Sequence, residues 1–314
     1  MGTPDIAATV LKRLVETGRQ NKQWNVTGVI SQPDKPAGRN LQLRPTAVHA
    51  MADTLNIPCF QPQKARDPQS LEWIRAQQPD LIVVVAYGQI LPQALLDIPR
   101  YGCINVHTSI LPKYRGAAPI QWAILENQSR TGVTLMRMDA GLDTGDIITA
   151  TTTPITTQDT AETLYDRLSE LGANLLVETL PDYFVGKITL TPQQNAQASY
   201  VRKITKEDGH IDWRRPAELL SCHVRGLFPW PGAFTYWNDN ERKILLKIRK
   251  VIANPAKAHN AQPGTILAAS ADNLEIACGV GTLNITELQR EGKRAMDTKS
   301  FLAGNRLASG IRLE

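Results

Sequence analysis

An α/β fold, with a doubly wound and mostly parallel sheet followed by a small antiparallel barrel of the OB type, is what this amino-acid sequence predicts. Three observations carry that expectation. Amphipathic helical stretches alternate with short β-branched runs over the first part of the chain. One run, Asp80 to Gly88, reads Asp-Leu-Ile-Val-Val-Val-Ala-Tyr-Gly and is apolar on both faces, as a strand covered on both sides must be. Beyond Lys203, five short strand-like runs succeed one another with turns between them. At 314 residues the chain exceeds what one core usually supports, so two domains are expected, 1–188 and 204–314, with 189–203 as the linker.

Ile6 to Thr17 reads as a helix, with Val10, Leu11 and Leu14 on one stripe and Gly18 as its stop. Trp24 to Ile30 reads as a strand. The segment from Ser31 to Pro45 is long for a connection in an α/β unit, and a loop of that length is more often functional than filler. It carries Lys35, Arg39 and Arg44 against the single acid Asp34. Thr46 to Leu55 is helical by pattern, Pro58 to Gln61 is a short strand and Pro68 to Gln77 a further helix. Ligands collect at the carboxyl ends of parallel strands, where Tyr87, Gly88 and Ile90 follow the Asp80 run.

The stretch from Gly102 to Asp146 carries the chemistry. Ile104 and Val106 suit a buried strand, while Asn105 and His107 alternate with them and point together to the other face. An amide and an imidazole side by side each require a hydrogen-bond partner once removed from water, as a satisfied structural pair or as a site. A loop, Ser109-Ile110-Leu111-Pro112, follows, then Arg115-Gly116 and an apolar helix near Ala117. Gly141 and Gly145 flank Asp143 in a tight turn that can bring a carboxylate back to the imidazole. Arg115 either anchors an anionic group or braces its loop.

Asp159 and Glu162 form a capping-box-like start to a helix with Leu164, Leu168, Leu171 and Leu175 on one stripe. Thr189 to Tyr200 is rich in Gln, Pro, Thr and Asn, the composition of a linker. Lys203 and Lys206 mark a basic entry to the last domain. Pro216 to Arg225 makes a short helix, and Ala233–Trp237, Lys243–Val251, Gly264–Ala269, Leu274–Cys278 and Leu283–Leu288 are the barrel strands.

Bulk properties narrow the function classes. Apolar residues at 42% and charged residues at 21% describe a soluble globular protein, and no window approaches a membrane span or a signal peptide. The cytoplasm is the expected compartment and a monomer the expected state. Cys59, Cys103, Cys222 and Cys278 are scattered without metal-ligand spacing, which points to buried thiols and to neither zinc nor a disulfide framework. Residues 1–200 hold 17 basic and 18 acidic side chains, whereas 201–314 hold 18 and 12, so the whole net charge of +5 comes from the last third. A positive excess confined to one domain is the footprint of a polyanion partner, with nucleic acid the natural choice.

Taken in order, these residues resemble the 10-formyltetrahydrofolate-dependent formyltransferases. Asn105-x-His107, the Ser109-to-Pro112 loop and Asp143 look like that family's signature. Similar strings are Gly2-Thr3-Pro4-Asp5, Gln32 to Arg39, Arg115 to Gln121, Gly141 to Asp146, Phe228 to Gly232, Gly292 to Met296 and Phe301 to Leu307. The resemblance implies a Rossmann-like catalytic domain and transfer of a formyl group from 10-formyltetrahydrofolate to an amine. It implies Asn105, His107 and Asp143 as the catalytic set, with Ser109, Ile110, Leu111 and Pro112 walling a folate site that Tyr87, Gly88 and Ile90 complete. In the family the long basic insertion enters the acceptor stem of tRNA, with Arg39 at the matching arginine. That places Lys35, Arg39, Arg44, Lys203 and Lys206 as expected tRNA contacts, and the methionyl initiator tRNA as the partner. Two other readings remain open: formylation of an amino sugar or other small amine, and a nucleic-acid-binding protein with an inactive catalytic domain.

Formyl transfer needs donors aimed at the oxyanion of the tetrahedral intermediate and a route for the amine's proton, with no metal and no covalent enzyme intermediate. In the family Gly2-Thr3-Pro4-Asp5 is the turn after the first parallel strand. The resemblance therefore implies that this strand is missing here, through a start site assigned too late or in a weakened variant.

Overall fold

The computed structural model describes residues 1–37, 42–239, 242–270 and 272–314. They form two compact units. The first comprises Met1–Pro119, Arg130–Pro154 and Tyr165–Val201; the second comprises Ile120–Ser129, Ile155–Leu164 and Arg202–Glu314. Among the described residues no helix is long and apolar enough to cross a membrane.

In chain order the elements up to Val201 are α1 (Asp5–Asn21), β1 (Val29–Ile30), β2 (Lys35–Ala37), β3 (Gln42–Arg44), α2 (Ala47–Leu55), β4 (Cys59–Phe60), α3 (Pro68–Ala76), β5 (Ile82–Val84), α4 (Gln93–Leu96), β6 (Cys103–His107), β7 (Arg115–Gly116), α5 (Pro119–Leu125), β8 (Arg130–Arg137), β9 (Ile147–Pro154), α6 (Ala161–Phe184) and β10 (Tyr200–Val201). The main sheet has the order β5-β6-β8-β9. β5 runs parallel to β6, but β6–β8 and β8–β9 are antiparallel, and the short connection after Arg137 suits the latter pair. The sheet is therefore mixed, which corrects the mostly parallel expectation. β1 and β4 form a separate parallel pair.

Met1 and Gly2 stand between that pair and β5. The Gly2 N–H donates to Ile30 O at 3.0 Å, the Val85 N–H donates to Met1 O at 2.9 Å, and Gly2 bridges Val85 in parallel. The lane they occupy continues as a cavity of about 470 Å³ lined by Val10, Leu14, Trp24, Val29 and Ile82 among others. Of the expected strand from Trp24 to Ile30 only Val29–Ile30 forms, in register with Cys59–Phe60.

α1 buries Ile6, Val10, Leu11, Leu14 and Gly18 on one face. Gly18 does not end the helix, which runs on to Asn21 and closes at Lys22 in the left-handed region. The glycine serves packing instead: a Cβ there would come within 2.7 Å of Trp24 O, and Trp24 Nε1 donates to Leu14 O at 2.9 Å. In α6 the buried stripe is Leu164, Leu168, Leu176 and Leu180, with Gly172 in its middle. A Cβ on Gly172 would lie 2.9 Å from Val106 Cγ1, so the glycine lets α6 lie directly on the face of β6 opposite Asn105 and His107. The start of α6 is set by Thr160 and Thr163, each backbone N–H donating to the other's hydroxyl, with the Asp159 carboxylate accepting from the Thr163 hydroxyl at 3.3 Å.

The second unit contains α7 (Ala217–Gly226), β11 (Ala233–Asp239), β12 (Arg242–Asn254), β13 (Ile266–Ser270), β14 (Asn273–Ala277), β15 (Thr282–Arg290), β16 (Met296–Asp297) and α8 (Thr298–Gly304). Its strands form a curled antiparallel sheet, a half-barrel, of order β11-β12-β15-β14-β13 with β16 on β15. Alternation along β12 is clean: Ile244, Leu246 and Ile248 are buried while Lys243 is exposed. Inside lie Trp213, Trp237, Leu274, Ile276, Leu288 and Phe301.

Candidate active site

Asn105 and His107 leave the same face of β6, an interior strand. Asn105 is opposite Val84 on one side and Met136 on the other, and His107 is opposite Thr134. Both side chains are buried, at 9% and 7% exposure, so each polar atom needs a partner. The His107 Nε2 lies 2.9 Å from Tyr114 O. A carbonyl oxygen can only accept, so Nε2 carries a hydrogen, and the ring turns its Nδ1 toward Asp143. Nδ1 is 3.8 Å from Asp143 Oδ2, beyond hydrogen-bond length.

Asp143 is fixed from two sides. The Asn105 Nδ2 donates to its Oδ1 at 3.3 Å, and the Gly116 N–H donates to its Oδ2 at 2.8 Å. Gly116 has a φ of +98°, a conformation open to glycine, and it turns that N–H toward the carboxylate. The amide, the imidazole and the carboxylate thus converge on one place, with one Asn105 hydrogen still to offer. Such a set can donate to a growing negative charge and pass one proton through Nδ1.

The loop after β6 is built around Thr134. Its hydroxyl donates to Ser109 O at 2.7 Å and accepts from the Leu111 N–H at 3.1 Å. The Ser109 hydroxyl donates to Lys113 O at 2.6 Å, and Leu111 is buried, which leaves Ile110 and Pro112 as the half-exposed members. After β5, Tyr87 is buried in the core and its carbonyl oxygen accepts from Gln32 Nε2 at 2.8 Å. Gly88 and Ile90 are exposed, with Gly88 at φ +82°. Val84 is next to Asn105 in the sheet, so this loop and the converging three share the carboxyl end of β5 and β6.

Arg39 lies outside the described residues. Lys35 and Arg44 are exposed and opposite each other across the β2–β3 hairpin. Asp34 ties down the hairpin's base, accepting from Gln61 Nε2 at 2.7 Å and from the Thr46 N–H at 3.1 Å, and meeting His49 Nδ1 at 3.0 Å. Desolvation pushes the Asp34 carboxyl up, but these hydrogen bonds outweigh it and hold the pKa below the ordinary value. Lys203 and Lys206 are exposed on the second unit. Arg202 beside them is engaged with Asp208, at 2.7 Å through Nη1, and lies over the ring of Trp122.

Of the two roles open to Arg115, the structure gives the brace: it is buried at 1% exposure and holds Gln193, Asn195 and Tyr200. Gln193 is the residue that was not evident from sequence. Gln193 sits in the polar stretch after α6, which carried no sequence signal. That stretch is tied to the site: Thr191 bridges Ile147, the Arg115 N–H donates to Ser199 O at 2.8 Å, and β10 pairs with β7.

Comparison with known proteins gives two family matches, formyl transferase over residues 2–180 and formyl transferase, C-terminal domain, over residues 203–306. A methionyl-tRNA formyltransferase of Citrifermentans bemidjiense is 47% identical over 310 residues, covering 99% of this chain and 94% of that protein. One from Geobacter metallireducens is 46% identical over 313 residues, covering 100% and 97%. Among solved structures, WlaRD, a sugar 3N-formyl transferase crystallised with dTDP and 5-N-formyl-THF, superposes with a TM-score of 0.64 at 21% identity, covering 93% of this chain and 97% of that one.

Proposed function

The chain belongs to the formyl transferase family, and from that premise we propose that it moves a formyl group from 10-formyltetrahydrofolate to the amino group of methionine on the initiator tRNA. The observation that carries the chemistry is the convergence of Asn105 Nδ2, His107 Nδ1 and the Asp143 carboxylate at one end of β6. Their chemistry is that of acyl transfer to an amine. When the amine adds to the formyl carbon, negative charge grows on the formyl oxygen, and the remaining Asn105 N–H donates to it. The amine nitrogen must shed a proton, and Nδ1 of His107 receives it, because Nε2–H is fixed on Tyr114 O and Asp143 offsets the charge that results. That proton then passes to the departing folate nitrogen. The Asp143 side chain is held in place throughout by Asn105 and the Gly116 N–H.

In this reading the folate is walled by the half-exposed Ile110 and Pro112, with the buried Ser109 and Leu111 holding the loop behind them, and by the backbone of Tyr87, Gly88 and Ile90. Residues 1–188 act as the catalytic domain, 189–203 as the linker and 204–314 as an OB-like domain that binds tRNA. Lys35, Arg39, Arg44, Lys203 and Lys206 contact tRNA phosphate, and the protein works as a cytoplasmic monomer without a metal. The identity of full-length relatives and the basic last third favour tRNA over an amino sugar. An assay with 10-formyltetrahydrofolate and either methionyl initiator tRNA or an amino sugar nucleotide decides: formyl-methionine on the tRNA is expected. Product only from the sugar, or tRNA retention without turnover, overturns the reading.

The hairpin supplies a separate expectation. Lys35→Ala with Arg44→Ala should raise KM for the tRNA about tenfold at low salt, with kcat little changed, because the pair provides two phosphate contacts. Raising ionic strength should shrink the difference, and a KM that does not depend on these two side chains would place the tRNA elsewhere.

A further inference from the structure

We propose that Gln193 is a positioning residue that holds the Asp143 loop at its working distance from Asn105 and His107; its role in turnover rests on the formyl-transfer reading above. The carboxamide is used in full. Its Nε2 donates to Asp143 O at 2.9 Å and to Gly145 O at 2.7 Å. Its Oε1 accepts from Arg115 Nε at 3.1 Å and from Arg115 Nη2 at 2.8 Å. Backbone carbonyls can only accept and a guanidinium can only donate, so the amide has one possible orientation.

Arg115 is the fixed end of this clamp. Its Nη2 also donates to Asn195 Oδ1 at 3.0 Å, its Nη1 donates to the Tyr200 hydroxyl at 2.9 Å, and the ring of Tyr200 lies 5.6 Å from the guanidinium carbon. These hydrogen-bond partners are neutral oxygens around a buried cation. The undiluted positive charge polarises the Gln193 carboxamide and strengthens both N–H donors aimed at the loop. The other ties to the Asp143 side of the loop, from Asn105 and Gly116, reach the carboxylate itself. Gln193 acts on the backbone on either side of Thr144, so it sets where the carboxylate stands before those bonds are made. A stretch that looks like a linker thereby completes the site.

Gln193→Ala and Gln193→Glu test the assignment together. Glutamate keeps the acceptors for Arg115 and adds an ion pair, but it has no hydrogen to give to the two loop carbonyls. Gln193→Glu should therefore keep the melting temperature of the unmutated protein yet lose kcat by about tenfold to a hundredfold, with KM for both substrates within about twofold. A merely structural role would move melting and turnover together. Amide hydrogen exchange over residues 139–146, read by mass spectrometry, should quicken in both variants while exchange in 204–314 stays as it was. That readout does not depend on turnover, so it decides the proposal even if the unmutated protein fails to formylate tRNA, an outcome that would overturn the function and not the clamp. Unchanged loop exchange in Gln193→Glu would overturn the clamp.

Discussion

His107→Ala should leave a folded protein that binds both substrates and turns over about a hundredfold to ten-thousandfold more slowly, the range general acid–base groups supply. The side chain is buried on β6, but its loss removes one ring from the open end of the sheet and leaves the Ile104 and Val106 packing face untouched. What disappears is the proposed proton carrier, the ring whose Nε2 lies 2.9 Å from Tyr114 O. Asn105→Ala should cost about a hundredfold, as removal of an oxyanion donor does. It also leaves Asp143 with the Gly116 N–H as its remaining partner in this set. Because the two residues share that carboxylate, the double variant should be less impaired than the product of the single losses. Single-turnover formylation with saturating substrates measures all three rates, and a variant that runs at the unmutated rate would remove its residue from the mechanism.

Gly145→Ala is the second change from which a large effect is expected. A Cβ at this position would run into the backbone carbonyl of Arg137 and stand 3.3 Å from Asp139 N. Neither can withdraw, since Arg137 is opposite Ile104 in the sheet, its N–H donates to Asp146 O at 2.8 Å, and Met138 N–H donates to Cys103 O at 2.8 Å. The loop must move instead, and it carries Asp143 two residues away. A displacement of about 1 Å at a reacting geometry costs about a hundredfold in rate, so kcat should fall by that factor. Overpacking should lower stability by about 1–3 kcal/mol as well. Urea denaturation followed beside steady-state kinetics separates the two, and a variant with kcat unchanged would mean that the loop has slack the structure does not contain.

Much of the second unit was legible because its strands obey period two with charged residues outward, as Lys243, Ile244, Leu246 and Ile248 do. The converging three were legible from context: an amide and an imidazole two apart on an apolar strand could have been a satisfied pair, and the loop after His107, the glycines flanking Asp143 and the family resemblance marked them as a site. β8 and β9 did not announce themselves, since Arg-Thr-Gly-Val-Thr-Leu-Met-Arg is interrupted by a glycine and Ile-Ile-Thr-Ala-Thr-Thr-Thr-Pro puts hydroxyls where apolar residues would mark a buried face. Thr131, Thr134 and Thr153 are nonetheless buried, with Thr134 serving as a hydrogen-bonding hub. Gln193 was invisible for a different reason. A glutamine among polar neighbours looks solvated, and its worth comes from two carbonyls and a guanidinium that only the fold brings within reach. Gly18 was misread because a helix-stopping glycine and a glycine under a tryptophan look alike in one dimension.

The backbone bonds of Met1 and Gly2 are one of several joins between the β1–β4 pair and the sheet that starts at β5. Gln32 Nε2 reaches Tyr87 O at 2.8 Å, and Ile30, Ile74, Ile82 and Val84 share one core cluster. The two ladders are therefore sewn together by side chains as well as by backbone, and a push on one is carried into the other.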